Sequence, residues 1–383
     1  MAVRSIRPAT SPAPDTDSAR STGNTSLRVL FDVGHPAQVH LFRNAIRELG
    51  DRGHETFVTS REKEVTNDLL EAYGIDHVSL SRRGDSTLSL VWETLTREVR
   101  LLSFARRFGP DVLVSRLGPV PAHVSALLGC RHVVVSDTYV DRPLIRRIHQ
   151  GVTLPFVDTI CVPESFELPI ADEKRRPLDF QELAYLHPAY FEPDRDVLAA
   201  NDIDPGDPYF VVRVSGWDAY HDAGHAGLGP ATVRRLIERL KEHGAVYISA
   251  EGDLPSDLER HRLTIPPADI HHVLYYADLY VGDSGTMSTE AAILGTPAIR
   301  TNTMVGEDDE HVFRALEDRY DLLRSYADAD RALEAVEEIL SFGIDCIDWQ
   351  QRRERLLAEQ PDVTDRIVKT ILESASDPRE SRP

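Results

Sequence analysis

From Leu27 onward, short apolar runs alternate with stretches in which apolar residues recur every three or four positions. Residues 27–33 are a near-continuous apolar run closed by Gly34-His35-Pro36. Residues 36–50 then place Val39, Phe42, Ile46 and Leu49 at helical spacing. The same reading predicts a strand at 56–59, a helix at 62–73 ending at Gly74, and a long helix at 86–108 stopped by Gly109-Pro110. Strands at 111–115, 131–136 and 159–162 follow, with a helix at 119–128 between the first two. Strands this uniformly apolar, separated by helices, indicate a parallel sheet covered on both faces.

Six prolines (Pro163, Pro169, Pro177, Pro188, Pro193 and Pro205) interrupt the alternation and read as an interdomain connection. The pattern then restarts, with strands at 209–214, 245–250, 279–282 and 297–300, helices at 230–243 and 286–294, and mostly helix from 330 to 374. The expectation is an α/β protein of two Rossmann-like domains facing a cleft, spanning 27–190 and 191–345. Helices at 346–374 would pack back on the first domain, and 1–26 and 375–383, rich in small and polar residues, would be disordered tails.

A chain of 383 residues accommodates two such domains. It has no apolar run of membrane-spanning length, and the first 26 residues lack the apolar stretch of a secretory signal. Cys130, Cys161 and Cys346 are odd in number and far apart, which argues against a disulfide scaffold or thiolate metal site and predicts a cytoplasmic location. Basic residues number 43 and acidic residues 63, for a net charge of −20, and only four of the 43 are lysines. Acidity with so little lysine predicts a salt-in halophilic archaeon as source, where molar salt screens the self-repulsion. It also weighs against a nucleic-acid partner.

The strongest chemical signal is Gly282-Asp283-Ser284-Gly285-Thr286-Met287-Ser288-Thr289-Glu290, closed by Gly295-Thr296-Pro297. An apolar strand enters a small-residue turn and then a helix, so Ser284, Gly285 and Thr286 sit where backbone N–H groups and the helix dipole favour an anion. Glu290 lies one turn deeper on the same face, where a carboxylate can accept from vicinal ribose hydroxyls. An ordinary capped helix is the bland alternative. A second loop, Asp32-Val33-Gly34-His35-Pro36, puts His35 at the ligand edge of the first sheet, and it is not a G-x-G-x-x-G fingerprint. Arg213, Trp217 and His221 follow the first strand of the second half. Asp218, His221, Asp222 and His225 have metal-ligand character, but the expected site holds no metal and no cofactor. Asp137 ends another strand at the ligand edge.

The helix element resembles the donor-phosphate motif of two-domain enzymes of the glycosyltransferase-B type, such as the lipid II-forming N-acetylglucosaminyltransferase and the UDP-N-acetylglucosamine 2-epimerases. The resemblance implies diphosphate contact for Ser284, Gly285 and Thr286, ribose contact for Glu290, and a base-holding segment around His272. The stretches LFDVGHPAQVHLFRN, ELAYLHP, RVSGWDAYHDAGHAG, AEGDLP and IPPADIHHVLYYADLYVGDSGTMSTEAAILGTPAI are similar to domain of unknown function 354 over about 27–325.

These signals predict a metal-independent glycosyltransferase. The second domain would hold a nucleoside-diphosphate sugar with Arg213, Trp217, His221 and His272 adding contacts. The first would hold a glycan or lipid-linked acceptor, with His35 or else Asp137 as base. An epimerase of the same fold and a non-catalytic nucleotide-sugar or glycan-binding protein are the alternatives. The epimerases carry catalytic acidic and histidine residues where this chain has Ser115-Arg116 and Ser136-Asp137. The helix 86–108, with Arg97, Arg100, Arg106 and Arg107 beside its apolar stripe, and the group Arg142, Arg146 and Arg147 admit two readings. One is core packing with solvated arginines; the other is peripheral contact with the inner membrane face.

Overall fold

The computed structural model describes residues 26–376, apart from 63–64, 83–86, 138–142, 216–227, 251, 304, 307–310 and 344–347. The first half is a seven-stranded parallel sheet. Its strands in chain order are β1 (Arg28–Val33), β2 (Glu55–Glu62), β3 (His77–Arg82), β4 (Val112–Ser115), β5 (Arg131–Val135), β6 (Thr159–Val162) and β7 (Arg175–Pro177), arranged β3-β2-β1-β4-β5-β6-β7. The second half is a five-stranded parallel sheet of β8 (Tyr209–Val214), β9 (Ala245–Ala250), β10 (Leu279–Gly282), β11 (Ala298–Thr301) and β12 (Leu323–Tyr326), arranged β12-β11-β10-β8-β9. Mixed α/β architecture with two parallel sheets agrees with the sequence reading. The proline-rich stretch does more than connect, because residues 175–177 add the seventh strand. Strands β3 and β12 also carry no strong apolar run and escape the pattern; each is an edge strand, buried less completely than the centre.

Strand order fixes where ligands can bind. The chain runs outward from β1 through β2 and β3, then crosses back to place β4 on the other side of β1. In the second sheet it runs from β8 to β9 and returns to β10 on the far side of β8. At each reversal the loops diverge and leave a crevice beyond the strand C-termini. Asp32 of β1 is in register with Ser115 of β4, and Gly282 of β10 with Arg213 of β8. The two crevices therefore carry His35, Arg116, Ser215 and Ser284 as the residues that follow those strands.

A continuous buried cluster joins the halves, including Phe42, Tyr185, Val273, Leu294 and Ile367. The helix Val363–Ser376 returns to the first sheet: the Thr364 hydroxyl donates to the Ala184 carbonyl at 2.8 Å, and Ser374 and Thr159 hydroxyls lie 3.0 Å apart. The helix Trp349–Glu359 instead holds the second half, where Arg353 Nε donates to the Ile293 carbonyl at 3.1 Å. Arg97, read as a flanking surface residue, turns inward and donates twice to buried Asp32 (2.8 and 2.9 Å). The carboxylate at the end of β1 supplies a desolvated partner that the helical pattern alone does not reveal.

Candidate active-site cleft

Two cavities meet between the sheets. One, of about 700 Å³, is lined by Arg213, Ser249, Ser284, Thr286, Met287 and Glu290 from the second half and by His35 and His40 from the first. The other, of about 390 Å³, is lined by Gln38, Arg116, Asp137, Gln181, Glu182 and Tyr185, with Gly285, Thr286 and Phe313 facing them. His35 and Thr286 belong to both linings and mark the junction.

The helix Gly285–Leu294 begins at this junction. Ser284 is its N-cap, in extended conformation, with its hydroxyl accepting from the Met287 N–H at 3.4 Å. The first-turn N–H groups of Gly285 and Thr286 have no acceptor within a helix, so the positive end of the element faces the cleft. Gly285 packs closely: a Cβ there would lie 2.8 Å from the tip of the Phe313 ring, which would have to shift to admit it. Phe313 is in turn covered by the Arg300 guanidinium, 3.5 Å from the ring centroid. Gly295, at φ 84°, closes the helix in the left-handed conformation that glycine adopts without strain.

Asp283 ties together Ser215, which follows β8, and Leu228. Its Oδ1 accepts from the Ser215 N–H (2.7 Å) and hydroxyl (2.9 Å), and its Oδ2 from the Leu228 N–H (3.2 Å). One buried carboxylate thus fixes Ser215 and Leu228 beside the helix N-terminus. Burial pushes its pKa up, against the hydrogen bonds from Ser215 and Leu228 that favour the ionised form. Trp217 and His221, like Asp218, Asp222 and His225, lie outside the described residues. Arg213 reaches the larger cavity and donates from Nη1 to Ser249 Oγ at 3.0 Å.

Glu290 is 5% exposed and sits in a network that spans the two halves. Its Oε1 accepts from Tyr185 Oη at 2.8 Å and pairs with His271 Nε2 at 3.0 Å. The His271 ring stands edge-on to His40, with centroids 4.7 Å apart, and His40 Nδ1 is 3.2 Å from the Tyr73 hydroxyl. Burial, then the neighbouring His271 and Arg43, hold the pKa of His40 well below the ordinary histidine value. Burial and the adjacent Glu290 raise that of Tyr185. His272 points elsewhere: its Nδ1 accepts from the Asp194 N–H at 3.1 Å and it lines a separate cavity with Arg43, Tyr73 and Phe191. Of the two adjacent histidines, His271 is therefore the one beside Glu290. A helical step of about 100° separates neighbours, so only one of the pair can face the cleft.

In the smaller cavity, Asp137 is bound on one oxygen by Arg116 and on the other by Gln181, which Arg116 also contacts. His35 is exposed and caps the helix Pro36–Asp51, with its Nδ1 accepting from the Ala37 N–H at 3.3 Å. In that arrangement the neutral ring carries its proton on Nε2 and presents a donor to the cleft.

The family profile described as protein of unknown function (DUF354) matches residues 27–376. The chain belongs to the DUF354 family. The match runs through the C-terminal helices, further than the motifs quoted above. This DUF354 protein is 23% identical over 285 residues to an uncharacterized protein of Methanocaldococcus jannaschii, covering 72% of this chain and 81% of that one. By fold it is similar to the UDP-GlcNAc 2-epimerase of Neisseria meningitidis bound to UDP-GlcNAc, with TM-score 0.62, 13% identity, and 91% of this chain and 100% of that chain covered. It is similar also to the spinosyn forosaminyltransferase SpnP, with TM-score 0.61, 16% identity, and 92% and 100% covered. At these identities the likeness is one of fold: two Rossmann-like domains of the glycosyltransferase-B type.

Tyr185, Gln181, Glu182 and Asp283 carry much of the cleft of this DUF354 protein without a role in the sequence reading, and His271 enters that reading only within the segment expected to hold the base. Gln181 through Tyr185 stand in the proline-rich connection, which has no strand–turn–helix signal. The run ELAYLHP, dense in chemistry for a linker, was the available clue.

Proposed function

We propose that this DUF354 protein is a glycosyltransferase that moves a sugar from a nucleoside-diphosphate sugar, UDP-linked, to a hydroxyl of a glycan or lipid-linked acceptor. The observation that carries the reading is the pair of cavities meeting at His35 and Thr286. One side gathers a helix N-terminus and Arg213, the other a ring of polar side chains that includes Arg116, Asp137, Gln181 and Glu182.

In this reading the diphosphate lies on the N–H groups of Gly285 and Thr286 and the Ser284 and Thr286 hydroxyls. Arg213 adds positive charge, and the His35 Nε2–H a hydrogen-bond donor, where the leaving group becomes negative. In this reading the helix end and the guanidinium supply that charge, with no metal ion needed. Glu290 holds the ribose through the carboxylate oxygen that Tyr185 and His271 do not use. Leu263 and Ile265 flank the base in place of His272. Trp217 and His221 are assigned to the sugar and the diphosphate. Asp137, fixed by Arg116 and Gln181, orients the acceptor.

A peripheral membrane contact at the inner face, in a cytoplasmic protein, would suit a lipid-linked acceptor. Among the described residues no helix is long and apolar enough to cross a membrane. The helix Pro143–Thr153, however, leaves Leu144 (71%), Ile148 (59%) and Val152 (41%) exposed next to Arg146 and Arg147.

The test is a thermal-shift screen of UDP and UDP-sugars in molar KCl, repeated on Glu290→Ala. Stabilisation of the wild type that Glu290→Ala loses supports the donor site, and no stabilisation by any nucleotide sugar overturns it. The fold likeness to a UDP-GlcNAc 2-epimerase keeps epimerisation as a second reading. Incubation of a UDP-sugar without acceptor separates the two: an epimeric product favours epimerisation, and turnover only after an acceptor fraction is added favours transfer. A UDP-binding protein that turns over with neither would be a binding module.

A further inference from the structure

Glu182 enters the smaller cavity from the connection between the sheets, immediately before the helix Leu183–Leu186. The chain arrives there through Phe180, whose φ of 44° is the left-handed conformation that a bulky residue adopts only under constraint. Phe180 is buried against Tyr320, ring centroids 5.8 Å apart, and this contact holds the turn in place. The turn delivers Gln181 and Glu182 together into the cavity. Their fates differ. Gln181 joins Arg116 and Asp137. Glu182 is 5% exposed, and its Oε2 is buried without a hydrogen-bond partner among the described residues. A buried carboxyl oxygen left unsatisfied is costly, and backbone strain beside it points the same way, toward use by a substrate.

Among the described residues, the charged and titratable groups around Glu182 include Asp137, Glu290, Arg116, His35 and Tyr185. Arg116 pairs directly with Asp137, and its charge, the smallest of these influences on Glu182, does not offset burial and the nearby carboxylates. Burial, and then the negative charge of Asp137, push its carboxyl up to about 8. Asp137 itself has both oxygens engaged, and the Nε2 of His35 is a donor in its capping geometry.

We propose that Glu182 is the catalytic base of the cleft, receiving on Oε2 the proton of the acceptor hydroxyl bound in the smaller cavity. This rests on the glycosyltransferase reading. The acceptor O–H bond breaks and its proton passes to Glu182. The acceptor oxygen bonds to the anomeric carbon, and the bond from that carbon to the diphosphate oxygen breaks, its electron pair leaving with the nucleoside diphosphate. Glu182 returns the proton to water after product release. A base whose pKa lies near the working pH is better matched to a hydroxyl than an ordinary carboxylate.

The experiment uses UDP-N-acetylglucosamine as probe, with water standing in for the acceptor, and follows UDP release from pH 6 to 9.5 in wild type, Glu182→Gln and Glu182→Asp. UDP thermal shifts are recorded on the same proteins. UDP should stabilise all three equally. Wild-type release should rise with pH and level off above about 8. Glu182→Gln should lower release by ~100-fold or more and lose the rise, and Glu182→Asp should keep a displaced rise. Infrared difference spectra give a readout without turnover: a protonated-carboxyl band present at pH 6, lost by pH 9.5, and missing from Glu182→Gln. Release by Glu182→Gln within a few fold of wild type, an unchanged pH rise, or no such band in the wild type overturns the assignment. If UDP stabilises none of the three, the donor site fails instead, whatever the infrared band shows.

Discussion

The Tyr185 hydroxyl donates to Glu290 Oε1 at 2.8 Å, joining the connection between the sheets to the helix whose N-terminus faces the cleft. The contact is buried, and His271 shares the same oxygen. Tyr185→Phe removes a hydrogen bond to a buried carboxylate, worth about 2 kcal/mol. Its melting temperature should fall by a few degrees in differential scanning fluorimetry, while UDP still stabilises it. Glu290→Ala should lose both stability and the response to UDP. Equal UDP shifts in wild type and Glu290→Ala would contradict the ribose assignment.

The histidine pair beneath that bond predicts acid sensitivity. His40 is kept neutral by burial first, then by His271 and Arg43. Its folded pKa is below its unfolded value, so the unfolded chain binds the proton more readily. The stability this contributes is complete above the ordinary histidine value of 6.5 and is lost as pH falls below it toward the depressed folded value. Melting temperature followed from pH 7.5 to 5 should drop, and more shallowly in His40→Gln. A slope identical in the two proteins would rule His40 out as its source.

Gly285→Ala places a methyl group 2.8 Å from the Phe313 ring, at a helix position whose backbone alanine accepts. The ring has to move, and with it the wall shared by the helix end and Arg300. Stabilisation by UDP should fall at least tenfold in apparent affinity, about 1.4 kcal/mol. The double variant Gly285→Ala/Phe313→Leu should recover part of it. Undiminished UDP binding by the single variant would mean that the diphosphate does not lie there.

The exposed apolar face of the helix Pro143–Thr153 should associate with lipid. Wild type should co-sediment with vesicles containing anionic phospholipid, and Ile148→Glu/Leu144→Glu should remain in the supernatant, with unchanged UDP-dependent stabilisation. Loss of sedimentation at high salt without any effect of the two substitutions would assign the contact to the arginines alone.

A net charge of −20 with four lysines predicts a protein that gains from salt. Raising KCl from 0.1 to 2 M should raise the melting temperature by several degrees, because screening relieves repulsion among the carboxylates. A flat or falling profile would separate the acidity from any adaptation to salt.

The chemistry at the head of the helix Gly285–Leu294 was legible from its residues, because its meaning is local. A strand ending in Gly282, a serine cap and a glycine closing the last turn are a property of consecutive residues, and so is the anion-favouring end they create. Two parallel sheets were legible for a related reason: buried central strands such as β1, β4 and β10 must be apolar on both faces. The edge strands β3, β7 and β12 lack that obligation. What only the tertiary structure decided is which side chains from distant segments share a desolvated space. His271 and His272 are equivalent in sequence until the rotation of one helix sends the first to Glu290 and the second to the Asp194 backbone. Asp137 and His35 have the right chemistry at the right sheet edge, yet their partners change what each offers. Glu182 has no motif at all; its setting comes from the left-handed turn at Phe180, the pairing of Arg116 with Asp137, and burial between two domains. Helix ends and strand periods are set by neighbours in the chain, whereas desolvation and charge pairing are set by neighbours in space.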